Sequence, residues 1–377
     1  MVDSGVNLTG DIIPVILAGG IGSRLYPLSS PERPKQFLKL FDNSSLFAAS
    51  CKRLVQNPLI VTNKSLQHII LKQCQQYNIT PSNIIYEPEP KNTAPAILQA
   101  CKNVKPNDVL VVMPSDHLIK NTDSFNKDLQ KAIELANQGK IVTFGIKPTS
   151  ANVNYGYISP TNPPKFTEKP DEFTAHKYIK QGYLFNSGIF VFKAQTMLDE
   201  AAKFCPNIMA NIHNYNLLPS ISIDYAIMEY TAKLATIKAS FDWDDIGSWP
   251  SLIKNIDQHL YKTVIKPWGY YKDLFTEHGL KLKKIVVKPH SALSLQIHHK
   301  RAEHWVVLKG VANVQVNNKF TQLLPTQSIY IPLAAEHRLI NYQEHELQII
   351  EVQKGDYLAE DDIVRLEDNY GRAGILG

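Results

Sequence analysis

The sequence predicts two folds in succession, a mostly parallel β-sheet covered by helices over residues 1–260 and a small all-β barrel or sandwich over residues 261–377. A change of texture carries that expectation. Up to about Ser240 short apolar runs alternate with helical patterns, whereas after about Pro267 strand-length runs follow one another with no helix-length pattern between them. A chain of 377 residues with 44% hydrophobic content can also bury more than one core.

In the first part the apolar runs are residues 12–17, 59–62, 109–113 and 141–146, and the helical patterns are residues 45–55, 94–104 and 125–136. Strands buried on both faces read as continuous apolar runs, which is the habit of parallel sheets. Residues 251–261 read as a closing helix at the boundary. The strand candidates of the second part are residues 282–287, 292–297, 304–308, 311–316, 328–331 and 347–352. No internal repeat or low-complexity segment stands out.

Forty basic and 35 acidic residues leave a formal charge of +5, which suits anionic small substrates better than a nucleic-acid backbone. Cys51, Cys74, Cys101 and Cys205 share no metal-ligand spacing and read as thiols of a reducing compartment. The N-terminus lacks a leader pattern and no apolar stretch is long enough to span a bilayer, so the expectation is a cytoplasmic protein with no membrane or nucleic-acid partner.

Chemistry first shows in LAGGIGSRLYPLSSPERPKQFL, residues 17–38, which puts Leu17, Ala18, Gly19, Gly20, Gly22 and Ser23 at the carboxyl end of the first strand. Open parallel sheets bind ligands there. Glycines let backbone N–H groups approach phosphate oxygens, and Arg24 and Lys35 can neutralise a triphosphate. The spacing fits neither the G-x-G-x-x-G nor the Walker pattern. Taken alone the glycines describe a tight turn; the added Arg and Pro-Lys turn the reading towards phosphate.

This segment resembles the signature of sugar-1-phosphate nucleotidyltransferases, and Pro34-Lys35-Gln36-Phe37-Leu38 resembles the mannose-1-phosphate guanylyltransferase branch. Further blocks similar to that family follow in order: EPEPKNTAPAI from Glu87, MPSDHLI from Met113, NYGYI from Asn154, FTEKPD from Phe166, FNSGIFVF from Phe185, SIDYAIMEYT from Ser222 and WDDIGSW from Trp243. The resemblance implies a Rossmann-like domain that joins mannose 1-phosphate to GTP. Asp116 and Asp245 would hold Mg²⁺, a hard cation that takes oxygen ligands. Asn92 and Thr93 would present a helix N-terminus to the nucleotide. Gly156, Glu168 and Asn186 match positions that hold the sugar, and Lys169 matches the lysine facing its phosphate. Lys91 stands where the family usually has Arg, which keeps the charge and loses the bidentate fork.

In residues 294–310, Gln296, His298 and Glu303 are spaced Q-x-H-x₄-E, and IPLAAEHRLIN adds His337. This resembles the two motifs of a cupin, a jelly-roll fold, with Gln in place of the first His; four nitrogen and oxygen ligands suit Zn²⁺ or another divalent ion. PWGYY from Pro267, QIHHKRAEHW and EDDIVRLEDNYGR are similar to the C-terminal isomerase domain of bifunctional guanylyltransferase/mannose-6-phosphate isomerases. That implies interconversion of mannose 6-phosphate and fructose 6-phosphate, with Arg365 as a catalytic arginine and Arg301 and Arg372 as sugar-phosphate binders. Lys300 replaces a usual His. A segment of about a hundred residues that family members carry between the domains, enough for a separate folding unit, is absent. Two other readings stand beside the bifunctional enzyme: a guanylyltransferase with a non-catalytic sugar-phosphate-binding cupin, and a sugar-nucleotide sensor. The resemblance leaves a homodimer open as the assembly.

Overall fold

Side chains that alternate between two faces of one sheet organise the first part of the chain. In the computed structural model, which describes residues 10–20, 22–41, 44–256 and 261–372, that sheet runs in the order Leu234–Lys238, Ile141–Ile146, Leu184–Lys193, Val109–Pro114, Ile12–Leu17, Leu59–Asn63 and Asn83–Glu87. Val15, Leu59, Leu110 and Val112 point to one face and pack against Ala94, Ile97 and Met197 of the helices Thr93–Lys102 and Ala194–Phe204. Their neighbours Ile16, Ile60, Val109 and Val111 point to the other and meet Phe47, Phe125 and Leu129 of Leu46–Cys51 and Thr122–Asn137. A two-residue side-chain period in a sheet buried on both sides dictates this division.

The four predicted strands of this part all form, as do the three helices, which run Leu46–Cys51, Thr93–Lys102 and Thr122–Asn137. The sheet is mixed: Leu184–Lys193 lies antiparallel to both Val109–Pro114 and Ile141–Ile146, between two otherwise parallel sets. Asn186, Ser187 and Gly188 interrupt its apolar run, so the ten-residue strand does not announce itself by periodicity.

The second part forms two six-stranded antiparallel sheets. One runs Thr263–Lys266, Gly269–Glu277, Leu280–Val287, Leu347–Lys354, Ala302–Lys309, Ser328–Ile331; the other runs Lys319–Leu323, Ala312–Val316, His337–Asn341, Leu295–His298, Ile363–Glu367, with Ser291–Ala292 joined to His337–Asn341. Their inner faces enclose Trp305, Leu339, Leu347 and Ile349. The predicted strand 292–297 is broken at Leu293–Ser294 into Ser291–Ala292 and Leu295–His298, and the Ser294 hydroxyl there donates to Gln296 Oε1 at 3.0 Å. The predicted helix 251–261 starts earlier, at Trp249, where the Ser248 side chain accepts from Ser251 N, and runs to Asn255; residues 257–260 lie outside the described residues.

By contacts the chain divides into two units. The first joins the described residues up to Gly20 with Arg33–Ile246, and the second joins Gly22–Glu32 with the described residues from Gly247 onward. No helix among the described residues is long and apolar enough to cross a membrane. Cys51, Cys74, Cys101 and Cys205 are all free thiols, the first three buried.

Gly269 marks where the second unit's backbone cannot take a side chain. Its φ is +148° and a Cβ would lie 2.0 Å from Val286 O. Gly269→Ala should lower stability by about 2–4 kcal/mol. Urea unfolding followed by tryptophan fluorescence measures this, and an unshifted midpoint would contradict it.

Candidate functional sites

At the carboxyl ends of the first unit's strands, one buried ammonium ties the site together. Lys35 Nζ lies 2.8 Å from Asp116 Oδ2, and donates to Asp245 O at 2.7 Å and Ile246 O at 3.1 Å. All three donors of the lysine are therefore committed. Ile246 has φ +47°, a conformation that a β-branched residue adopts only under constraint, and the Asp244 side chain holds it by accepting from Ile246 N at 2.8 Å. Lys35 thus joins the Asp116 carboxylate to the backbone carbonyl of Asp245. Burial works to raise the Asp116 carboxyl, but the charges of Lys35 and His117 overcome it and hold the group below the ordinary range.

Two residues not predicted orient these carboxylates. Tyr155 Oη donates to Asp245 Oδ1 at 2.7 Å. Trp243 Nε1 donates to His117 Nδ1 at 3.2 Å, which leaves the ring proton on Nε2, 3.9 Å from Asp116 Oδ1. Burial lowers the His117 pKa against the pull of Asp116 and Asp245, so the neutral ring is favoured.

The glycine turn is divided between the units. Leu17 ends the first strand, Ala18 N bonds to Val61 O, Gly19 and Gly20 follow it in the first unit, and Gly20 O accepts from Gln36 Nε2 at 2.6 Å. Gly22 and the short helix Ser23–Leu25 belong to the second unit by contacts, and Arg24 is exposed there. Asn92, at φ +68°, caps the helix Thr93–Lys102 by accepting from Thr93 N, while Thr93 Oγ1 accepts from Ile223 N at 2.9 Å. Lys91 is buried and donates to Asn216 O and Leu218 O, both at 2.8 Å; it braces the 216–218 turn.

The predicted sugar residues do converge. Asn186 N donates to Gly156 O at 2.8 Å, and Thr143 Oγ1 donates to Asn186 Oδ1 at 2.7 Å, turning its amide nitrogen towards Asp224 Oδ1 at 3.2 Å. A Cβ on Gly156 would stand 2.6 Å from Glu168 Oε2, so only glycine leaves room for that carboxylate. Lys169, at φ +42°, pairs with Glu168 Oε1 at 2.7 Å. Burial lowers its pKa, and Glu168 more than reverses the effect. Asp224 was missed by the sequence reading although SIDYAIMEYT contains it; it opens a π-helical turn, Asp224–Met228, a distortion frequent at functional sites. Burial and the neighbouring Glu168 charge push its carboxyl up to about 7.

In the second unit the strands Leu295–His298, Ala302–Lys309 and His337–Asn341 bring the cupin residues together. Ligand atoms of His298, Glu303 and His337 all lie within 4.8 Å of one another, and all three side chains are buried. His298 Nδ1 faces Asp362 O at 3.3 Å and His337 Nδ1 faces Ala335 O at 2.9 Å, so each ring points Nε2 inward, the arrangement of metal-ligating histidines. Burial would raise Glu303, but His298, His337 and Arg301 hold it well below the usual range. This donor set fits a divalent cation. Gln296 completes the group through Nε2, 3.3 Å from His298 Nε2 and 3.4 Å from His337 Nε2, while its oxygen accepts from Ser294; ligation through oxygen requires the amide turned over. Arg301 is committed to Glu303 at 3.1 Å and to Ala359 O at 2.9 Å, with Nη2 3.3 Å from His298 Nε2.

Beside this group a pocket is lined by Lys283, Glu351, Glu360, Arg365 and Arg372. Arg365 pairs across strands with Gln296, and Arg372 is held by Asp368 at 2.6 Å. Glu351 is pushed up to about 8 by burial and by Glu303, and Lys283 contacts Glu360. Both acids escaped the sequence reading. A charge at an inward position of the apolar run 347–354 was the available signal for Glu351.

A strand-end glycine turn beside Asp116 and Asp245, followed by a barrel with a buried His/His/Glu group, defines a nucleotidyltransferase domain joined to a cupin. The nucleotidyl transferase family model matches residues 13–261, and that of the mannose-6-phosphate isomerase C-terminal domain matches residues 254–368. The chain is 35% identical to xanthan biosynthesis protein XanB of Xanthomonas campestris pv. campestris over 96% of this chain and 99% of that one. It is 32% identical to mannose-1-phosphate guanylyltransferase of Klebsiella pneumoniae over 96% and 100%, respectively. Among solved structures it is similar to a mannose-6-phosphate isomerase from Helicobacter pylori, with TM-score 0.56 and 33% identity, covering 62% of this chain and 99% of that one. A second, described as a mannose-1-phosphate geranyltransferase from Thermus thermophilus, gives TM-score 0.58 and 30% identity, covering 66% and 80%. The chain belongs to the nucleotidyl transferase family, in the form that carries a mannose-6-phosphate isomerase C-terminal domain.

Asp224 yields a pH prediction. Its folded-state pKa of about 7 exceeds the ordinary 3.8, so between those values the folded protein holds a proton that the unfolded chain has released. The resulting stability is complete below the unfolded value and is lost as pH rises through about 7. Asp224→Asn should flatten the decline in urea-unfolding free energy from pH 5 to pH 8 by about 1–3 kcal/mol; an equally steep decline in the variant would rule out this burial.

Proposed function

We propose that the chain forms GDP-mannose and pyrophosphate from GTP and mannose 1-phosphate, through a transferase domain spanning residues 1–260. The observation that carries this reading is the convergence of Asp116 and Asp245 on Lys35 beside the glycine turn. Family membership and the names of the relatives supply the base and the sugar. A mannose 1-phosphate oxygen attacks the α-phosphorus of GTP in line, and pyrophosphate leaves without a covalent enzyme intermediate. Positioning and charge neutralisation carry such a reaction. Backbone groups of Leu17 to Ser23 and the helix behind Asn92 and Thr93 take the nucleotide, Arg24 the triphosphate charge, and Lys169 the sugar phosphate. Lys35 fixes the two acids that hold Mg²⁺, which when bound shields the phosphate oxygens.

For the cupin domain, residues 261–377, the same family membership points to interconversion of mannose 6-phosphate and fructose 6-phosphate, with Gln296, His298, Glu303 and His337 holding Zn²⁺ or another divalent ion. Such an ion polarises the sugar oxygens when bound. Arg365 and Arg372, on the neighbouring pocket wall, grip the phosphate, and Arg301 secures Glu303. A second reading, in which the cupin binds sugar phosphate without turning it over, is favoured by one observation: Arg301 Nη2 approaches the inward nitrogen of His298.

Pyrophosphate release from GTP with mannose, glucose and fucose 1-phosphates tests the transferase, with mannose expected to lead. Arg24→Ala and Asp116→Ala should each lower kcat/KM by about a hundredfold or more with the fold intact; near-wild-type rates would remove these assignments. Metal analysis together with a fructose 6-phosphate assay separates the cupin readings. About one ion per chain, lost in His337→Ala along with isomerisation, is expected. Turnover surviving loss of the ion would defeat the metal-dependent mechanism.

A further inference from the structure

In the second unit the chain on either side of Glu360 is pinned to the residues around the His/His/Glu group. Before it, Arg301 bonds the Ala359 carbonyl at 2.9 Å and Glu303 Oε1 at 3.1 Å. Two positions after it, the Asp362 carbonyl faces His298 Nδ1 at 3.3 Å, and the Asp362 carboxylate accepts from His299 N at 3.2 Å and Lys300 N at 3.0 Å. Glu360 itself lines the pocket beside that group, with its side chain 32% exposed. Lys283 Nζ donates to its Oε1, while its Oε2 accepts no hydrogen bond among the described residues. A carboxylate on fixed backbone, with one oxygen held and the other open to a pocket, is placed to act on what the pocket binds.

Interconversion of mannose 6-phosphate and fructose 6-phosphate moves a carbon-bound proton between C2 and C1, and so needs a base within reach. The lysines and arginines of the pocket are donors only. Glu303 is engaged by His298 and Arg301, both at 3.1 Å. Glu351 is 4% exposed, and both its oxygens are taken: Oε1 accepts from Gln353 at 2.8 Å and Oε2 from Trp305 at 3.0 Å. Burial works to raise the Glu360 carboxyl, but the Lys283 charge and its hydrogen bond, with Arg301 and Lys281 adding to them, hold it below the ordinary range. We propose that Glu360 is the base that carries the proton between the two carbons. This rests on the isomerase reading and supplies the residue for its central step. Glu360 takes the proton from C2 of open-chain mannose 6-phosphate; the C–H pair becomes the C1–C2 double bond, the aldehyde π pair moves to O1, and O1 gains a proton. Glu360 then returns its proton to C1, which bonds it with the pair of that double bond, while O2 gives up its hydroxyl proton and the O–H pair forms the ketone. One proton enters at O1 and one leaves at O2, so the sum is neutral and no outside oxidant or reductant takes part.

The experiment follows proton exchange as well as turnover, on the full chain loaded in turn with Zn²⁺, Mn²⁺ and Co²⁺. In D₂O, NMR of the two sugar phosphates reads deuterium entering at C2 and C1, and calorimetry reads the Kd for fructose 6-phosphate. Glu360→Gln should lower isomerisation and deuterium entry by about a hundredfold or more, with metal content and circular dichroism of the wild type and a Kd within about threefold of it. Glu360→Asp keeps a carboxylate at a shorter reach, so it should retain more activity than the glutamine variant and lose it in kcat with KM little changed. Should the glutamine variant misfold or lose the ion, the aspartate variant decides: a loss confined to KM marks a part in structure alone and overturns the assignment. Deuterium entry near the wild-type rate in Glu360→Gln overturns it as well. A wild type that binds the ion yet neither isomerises nor exchanges would instead overturn the isomerase reading beneath the proposal.

Discussion

The first unit's site depends on a lysine reaching across 210 residues of sequence to bind the turn at Asp245 while pairing with Asp116. Buried charges are tolerated when their partners are fixed, and here fixation is mutual. Lys35 is 4% exposed and would be costly to bury alone; the Ile246 carbonyl it holds belongs to a residue in a disfavoured backbone conformation. Breaking the lysine's contacts would release the turn as well as the charge. This explains why the lysine sits in a short helix next to the glycine turn, since from there it can hold both acidic blocks while the neighbouring Gln36 holds the Gly20 carbonyl.

Beyond that cluster the rim is lined with acids whose environments differ in kind. Asp116 is held ionised chiefly by the Lys35 ammonium, whereas Asp224 is pushed towards its neutral form by burial beside Glu168. Glu87 is raised by burial, with Tyr215 working against the rise. Chemically similar groups are thus held in distinct electrostatic settings on one strand-end surface. The cupin applies the same principle inside a barrel, where Glu303 is kept ionised by His298, His337 and Arg301 while Glu351, which shares the Trp305 indole proton with it, is raised.

Periodicity located the strands that are apolar throughout and the change to an all-β texture, because burial on both faces writes itself directly into composition. It did not reveal Leu184–Lys193, whose apolar run is broken by Asn186, Ser187 and Gly188, the first of them bonded to Thr143 and Asp224. Supporting side chains escaped notice as well. The sequence pointed to Asp116 and Asp245, while Tyr155, which donates to Asp245 across 90 positions, and Trp243, which bonds the His117 ring beside Asp116, become neighbours of those residues only through the fold. Lys91, which stands where the family usually has Arg, is turned into the protein to hold backbone carbonyls.

The alignment with XanB extends over 464 positions although this chain has 377 residues, so that relative carries a surplus of about a hundred residues, the size of a small domain. Its absence would matter most if it supplied part of a site. Lys35, Asp116 and Asp245 interlock inside the first unit, and His298, Glu303 and His337 inside the second, each set held by side chains and backbone of its own unit. A geometry fixed by contacts within its own fold does not need a third body to define it. The shorter length of this chain is therefore compatible with both sets of side chains as they stand.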